Sequence, residues 1–287
     1  MSIPTDSSTR WRQINIPFTS ASVAEHHLAT DLGPALIAAE DSGLLQKWWF
    51  LRKQPWRLRY LPTPTAEPEH AAAAVQKAVR GLRDSGITQF TTTIYEPETH
   101  AFGGPASMRA AHTLFHIDSR NIATHLASPV TSSSTHVHHS GRRREMSLLL
   151  CTALMRAAGL DRYEQGDVWA RIAAHRPQTS TDPQHLTTAV QTLVSVDTAP
   201  GTQLRVTGSL AYADEWFTAF ERTGHTLRHL ANAGELTRGI RAVITHHVLF
   251  HWNRIGLSTS DQAGLARAAE RMSFADPRTL TPSSDQL

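Results

Sequence analysis

Apolar side chains recur with period two in short runs along the first hundred residues, and mostly at three- to four-residue spacing after that. Trp11, Ile14, Ile16 and Phe18, with polar Gln13 and Asn15 among them, predict a strand over 11–18. Residues 22–42 predict a helix. Two aromatic-rich runs, 48–51 and 56–61, flank Arg52, Lys53, Gln54 and Pro55 and predict an antiparallel hairpin. A Pro- and Thr-rich linker, 62–68, leads to an alanine-rich helix over 69–83, and the β-branched run 87–95 predicts a further strand. Pro105, just after Gly103 and Gly104, suits the first turn of a helix reaching about Leu126.

The Ser-, Thr- and His-rich stretch 128–141 reads as a mobile surface loop. Helices are then predicted over 143–158, 165–174, 186–196, 203–231, 234–253 and 260–272. Strands first and helices later give the α+β class: N-terminal antiparallel strands packed with a mostly helical remainder. The expected unit is 11–258, with disordered tails at 1–10 and 273–287.

Composition narrows the classes. A chain of 287 residues with 40% hydrophobic and 18% charged side chains can bury a sizeable core and is neither a disordered segment nor a coiled coil. The longest apolar run, 146–154, is interrupted by Ser147 and Thr152, so no bilayer span is expected. Without a secretory pattern at the N-terminus, and with Cys151 as the one cysteine, a cytoplasmic location is expected. One cysteine also excludes an intrachain disulfide and a thiolate zinc cluster. The net charge is +3, and lysine occurs only at Lys47, Lys53 and Lys77, so the cations are almost all guanidinium groups, which suit carboxylate or phosphate. So small a net charge does not argue for nucleic-acid binding.

Four groupings carry candidate chemistry. On a strand, Arg57 and Arg59 share a face opposite Trp56, Leu58 and Tyr60. They are either a carboxylate clamp or a basic edge that discourages strand aggregation. Tyr95, Glu96, Glu98 and His100 precede Gly103-Gly104 and read either as acid–base groups at a strand end or as a helix-start turn with favourably placed acids. His112/His116 and His247/His251 each lie four apart on a helix, as zinc ligands do. Neither pair has the glutamate of a His-Glu-x-x-His motif, and no third ligand is specified, so no metal and no cofactor is expected. His136, His138 and His139 fall in the predicted loop, a poor catalytic platform. Cys151, among Leu148, Leu149, Leu150 and Leu154, reads as a buried hydrophobe. There is no Gly-x-Ser-x-Gly elbow, phosphate loop or dinucleotide fingerprint.

An ordered series of motifs resembles the thiopeptide-type bacteriocin biosynthesis family, which is similar to the C-terminal glutamate-elimination domain of lantibiotic dehydratases. It comprises Trp11-Arg12-Gln13-Ile14-Asn15-Ile16, Trp48-Trp49-Phe50-Leu51-Arg52-Lys53, Trp56-Arg57-Leu58-Arg59, Tyr95-Glu96-Pro97-Glu98 with Phe102-Gly103-Gly104, and Ala111-His112 with Leu114-Phe115 and Asp118-Ser119. It closes with Tyr163 to Trp169 and with His251-Trp252-Asn253-Arg254.

The resemblance implies a stand-alone elimination subunit of a split peptide dehydratase, expelling glutamate from glutamylated Ser or Thr to leave dehydroalanine or dehydrobutyrine. A leader-bearing precursor peptide and a separate glutamyl-tRNA-dependent glutamylating subunit are the implied partners. The even spread of arginines argues against direct tRNA contact, and a homodimer stays open. By the resemblance, Arg57 and Arg59 bind the glutamyl group and stabilise charge, Glu98 is the family's acidic residue, and His251 is the general acid or base, with His247 its rival. Tyr95, Glu96, His247 and Arg254 are the expected substrate-binding residues. Ala101-Phe102-Gly103-Gly104 stands where the family carries Arg-Tyr-Gly-Gly, so one glutamate-binding guanidinium is missing. That departure keeps two alternatives in view: a pyridine synthase performing a formal aza-[4+2] cycloaddition with leader release, and a non-catalytic leader-binding scaffold.

Overall fold

The computed structural model describes residues 10–82, 89–127, 136–176 and 184–275. The expected tails at 1–9 and 276–287, and the expected loop as far as residue 135, fall outside these.

Four antiparallel strands, β1 (Arg12–Ile16), β2 (Leu45–Leu51), β3 (Trp56–Pro62) and β4 (Thr91–Thr93), form one sheet in the order β2-β3-β1-β4. The hairpin is present, but β3 is interior, so the reading of Arg57 and Arg59 as a protective edge fails. Arg59 pairs with Gln13 of β1 on one side and with Trp49 of β2 on the other. β4 is much shorter than the predicted strand. Residues 87–88 of that strand lie outside the described residues; among the rest only 91–93 pair with β1, and Pro97, which has no N–H to donate, follows where the chain leaves the sheet.

Alternation gives the sheet two faces. Ile14, Ile16, Trp48, Phe50, Trp56, Leu58 and Tyr60 join the main core with side chains from α1 (Ala21–His27), a π-helical turn (Leu28–Leu32), α2 (Gly33–Asp41) and α3 (Pro68–Gly81). The opposite face is not the open cationic surface that β3 alone suggests. Its neighbours add Trp11, Trp49, Leu51 and Leu61, which pack with Tyr95, Phe102, Met108, Ala111 and Phe115 in a second, smaller core.

The helix α4 (Pro105–Ala127) runs beside β2. Two N–H groups of β2 are met by α4 side chains: Trp48 N–H donates to His116 Nδ1 at 3.2 Å and Phe50 N–H to Ser119 Oγ at 3.4 Å. A sheet edge is thereby covered.

Beyond α4 lie α5 (His136–Ala157), α6 (Arg162–Ala174), α7 (Gln184–Ser195), α8 (Gln203–Val206), a 3₁₀ turn (Ala211–Ala213), α9 (Asp214–Asn232), α10 (Ile240–Ile255) and α11 (Thr259–Phe274). Residues 136–141, expected in a loop, are the first turns of α5. The single helix predicted over 203–231 is broken. The chain folds back so that buried Arg205 reaches Asp214 at 2.7 Å, Glu221 at 2.6 Å and the Thr198 carbonyl at 2.9 Å. The helix predicted from 234 begins at Ile240 because the preceding residues dock elsewhere, as described below. Ser273, expected in the tail, is buried in α11 with its hydroxyl donating to the Ala269 carbonyl at 2.8 Å.

One ionic knot ties the sheet to the helices. Glu25 of α1 accepts from Arg52, just after β2, and from Arg143 of α5 at 2.8 and 2.7 Å; Arg52 Nε also donates to the Arg254 carbonyl of α10 at 2.6 Å. Burial opposes ionisation of Glu25, but the two guanidinium groups outweigh it and hold its pKa at about 2. A depressed carboxyl pKa contributes stability in full above the unfolded-state value and loses it as pH falls towards the folded one. Glu25→Gln is expected to lower the unfolding free energy by on the order of 3 kcal/mol at neutral pH. In urea denaturation, the gap between variant and wild type should close as pH is taken from about 5 to about 2.

Candidate active site

Strand alternation places Arg59 on the face of the smaller core, where it is 2% exposed. Its Nε donates to Gln13 Oε1 at 2.7 Å, and its guanidinium carbon lies 4.4 Å from the centroid of Trp49 and 4.1 Å from that of Tyr95. Glu98 Oε1 is 3.5 Å from Nη1, the one carboxylate paired with it among the described residues. Burial pulls the Arg59 pKa below the usual guanidinium value, and Glu98 resists that shift.

The segment after β4 brings Tyr95 inward and leaves the Glu98 side chain 33% exposed. Tyr95 Oη lies 3.4 Å from Glu98 Oε2 and 2.8 Å from Nε2 of His112 on α4. Burial first, then the Glu98 charge, raises the Tyr95 pKa. Burial, with Lys47 and Arg59 nearby, pushes His112 down to about 3. The phenol and imidazole are therefore both neutral at pH 7.

Gly103 and Gly104 hold this turn in place, with φ of +80° and +110°. The Thr237 N–H donates to the Gly103 carbonyl at 3.0 Å and Arg238 Nη1 to the Ala101 carbonyl at 3.1 Å. A Cβ on Gly103 would lie 2.8 Å from Val243 Cγ2, and one on Gly104 3.3 Å from Thr237 Cγ2. The segment between α9 and α10 is thus seated on the turn, which is why α10 starts late.

The other expected residues are placed differently. Arg57 is half-buried on the same strand face as Arg59 and has no hydrogen-bond partner among the described residues. Glu96 is exposed. His247, His251 and Arg254 are completely buried on α10, one layer behind Arg59. There the Asp118 carboxylate of α4 accepts from Trp216 Nε1 at 2.8 Å and Arg254 Nε at 2.7 Å, and lies 3.0 and 3.1 Å from His251 Nδ1. Burial opposes ionisation of Asp118, but His251 and Arg254 reverse that and lower its pKa. The Arg254 guanidinium lies 4.3 Å from the ring centroid of Phe115, which packs 4.8 Å from Trp49. His247, edge-on to Phe102 at 4.9 Å, pairs neither ring nitrogen and is pushed by burial to a pKa of about 3.

The histidine pair of α4 diverges: His112 turns to Tyr95, while His116 turns to β2 and to Glu40, 3.2 Å away. Among the described residues no three His, Cys, Asp or Glu side chains converge as metal ligands. Cys151 is buried, and burial raises its thiol pKa. No described helix is long and apolar enough to cross a membrane. Further along α4, a cavity of about 800 Å³ is lined by His125, Met146, Leu149, Leu193, Tyr212 and Trp216, among others.

Sequence reasoning missed Gln13, the Asp118 carboxylate and the contact of His112 with Tyr95. Gln13 carried a signal, being a polar residue among Trp11, Ile14 and Ile16. The other two needed the approach of α4 to the sheet and to α10.

The sequence matches the family model of the lantibiotic biosynthesis dehydratase C-terminal domain over residues 11–273. No curated protein matches it. Among solved structures, it is similar to the tRNA-dependent lantibiotic dehydratase MibB from Microbispora sp. 107891, at 17% identity and a TM-score of 0.64, over 94% of this chain and 28% of that one. This chain therefore spans little more than a quarter of that dehydratase. It is also similar to TsrL, at 15% identity and a TM-score of 0.64, over 91% of this chain and 93% of TsrL. The pyridine synthase TbtD from thiomuracin biosynthesis aligns at 14% identity and a TM-score of 0.63, over 92% of this chain and 97% of that one. At these identities the likeness is one of fold.

The Asp118 cluster sets a stability expectation. Asp118→Asn leaves a buried guanidinium without its counter-charge, and a loss of about 3–5 kcal/mol is expected in denaturant unfolding. An unchanged midpoint would show that the cluster is not ionised.

Proposed function

The chain belongs to the lantibiotic biosynthesis dehydratase C-terminal family, and on that footing we propose that it is the elimination subunit of a split peptide dehydratase. It removes glutamate from glutamylated Ser and Thr of a precursor peptide and leaves dehydroalanine and dehydrobutyrine. The observation that carries this reading is the buried Arg59, paired with a partly exposed Glu98 beside the Tyr95 hydroxyl.

The chemistry matches what these residues offer. A glutamyl group transferred from tRNA is esterified through its α-carboxyl, so its ammonium and side-chain carboxylate remain free. Glu98 suits the ammonium, and the unpaired, half-buried Arg57 suits the carboxylate. Arg59, in a site of low dielectric, stabilises charge developing at the ester and the α-carbon. Glu96 lies at the exposed rim, where the peptide chain passes. His247, His251 and Arg254 act from behind the aromatic layer, shaping the site through Phe115 and Phe102. A glutamyl-tRNA-dependent partner subunit supplies the substrate in the cytoplasm, and the precursor's leader brings it to this chain.

The test is mass spectrometry of a glutamylated precursor incubated with this protein alone. Loss of the glutamyl group to leave dehydrated residues is the expected result. An unchanged glutamylated peptide, with a pyridine chromophore and free leader formed from a dehydroalanine-bearing peptide, would replace elimination by pyridine synthesis. Silence in both reactions, with the leader still bound, would make the chain a scaffold. Arg57→Ala and Arg59→Ala are each expected to lower elimination at least about 100-fold while peptide binding is retained; wild-type rates in both would remove the clamp.

A further inference from the structure

We propose that the peptide substrate docks by adding a strand to the open edge of the sheet, along 92–96, and is led from there to Glu98 and Arg59. This takes a peptide as substrate from the reading above and adds where its backbone is held. The sheet ends differently on its two sides. The edge at β2 is covered, with N–H groups of Trp48 and Phe50 met by α4 side chains. At the other end β4 is the last strand of the order. Thr91, Thr92 and Thr93 are exposed there, and Ile94 is 88% exposed, the most of any large apolar side chain among the described residues.

The chain continues as a strand past its last paired residue. Ile94 is exposed, Tyr95 buried and Glu96 exposed, the alternation of extended backbone. Among the described residues, the backbone N–H and carbonyl groups of Ile94 and Glu96 make no hydrogen bond. Edge strands usually carry a lysine, a proline or a bulge that blocks further pairing. Thr91, Thr92, Thr93 and Ile94 include neither charge nor proline, and all four are β-branched, which favours strands. β4 is also fixed in place, since Gln13 Nε2 donates to Thr93 Oγ1 at 3.0 Å and Asn15 Nδ2 to Thr91 Oγ1 at 3.2 Å. Gln13 is the residue that accepts from Arg59, so one side chain ties the edge to the buried guanidinium.

A short extended peptide is the occupant that suits this edge. The edge runs into the candidate site, because Glu98 follows Glu96 closely in the chain and stands 3.5 Å from Arg59. Ile94 gives an apolar side chain of the added strand a neighbour to pack on. Pro97 stops the pairing, so about five residues take part. A second copy of this chain pairing edge to edge would bury far less than the roughly 1,200 Å² of a stable interface. A peptide held at the same time by Glu98 and Arg57 needs no larger area.

The test uses a blocked seven-residue peptide with a central glutamylated serine, flanked on each side by Thr and Val, and versions of it N-methylated at one residue at a time. Dissociation constants come from fluorescence anisotropy, and glutamate release from mass spectrometry. In an added strand only alternate N–H groups face the edge, so methylation is expected to weaken binding about tenfold at every second residue of one flank and less than about threefold between them. Ile94→Pro removes an N–H that has no partner among the described residues, so melting should be preserved while the unmethylated peptide binds about tenfold more weakly. The methylation series uses the wild-type protein and decides the matter alone if Ile94→Pro does not fold. Loss without the two-residue period, with glutamate still released, overturns the edge and leaves elimination standing. The period with the glutamyl group retained supports the edge and overturns elimination. Failure of the wild type to bind the unmethylated peptide at about 1 mM overturns the edge. So does a dimer in sedimentation that Ile94→Pro splits while methylation has no effect, which would give the edge to a second copy of the chain.

Discussion

Burying an ionised carboxylate is among the costliest things a fold can do, and Asp118 is tolerable only because Trp216 of α9 and His251 and Arg254 of α10 all reach it. That requirement fixes three helices at hydrogen-bond precision. Since α4 also satisfies the outer groups of β2 through His116 and Ser119, the carboxylate indirectly sets where the sheet lies relative to the helical half. His112 belongs to the same helix, so its distance to Tyr95 follows from the same constraint. From Arg254 the contact runs through Phe115 and Trp49 to Arg59, so the two buried guanidinium groups share one wall of rings.

Arg57 and Arg59 show how position in a sheet divides the work of two like residues. Both project from one face of β3. Arg59 sits over the smaller core, where its charge is met by Gln13, two aromatic faces and Glu98; Arg57 pairs across from Leu51 and Asn15 and stays half-buried. A guanidinium held rigidly in a low-dielectric wall does not reorganise as charge appears on a ligand, while a half-buried one can meet a ligand at the surface.

Much of the fold was legible from local pattern. The hairpin, the strand at 12–16 and most helices follow from period and from Gly and Pro punctuation, which are properties of neighbouring residues. The failures came where tertiary contact overrode that pattern. The helix over 203–231 broke because Arg205 folds back on Asp214 and Glu221, and the start of α10 moved because residues before it are seated on a distant turn. Strand faces and the Gly-Gly turn singled out Arg59, Tyr95 and Glu98, which the structure brings into contact. The His112 partnership and the sealing of His251 were not legible, because i, i+4 spacing states which residues share a helix face and says nothing of what that face meets.

The turn at Gly103 and Gly104 has a consequence in evolutionary time. Its carbonyl is capped by Thr237, and its missing side chains make room for Val243 and Thr237, more than 130 residues further along the chain. A larger residue on either side is admissible only if the other side yields, so the two segments can drift only as a unit. In a lineage that changes the acidic turn, compensating replacements should accumulate around 236–243, far in sequence from the turn they accommodate.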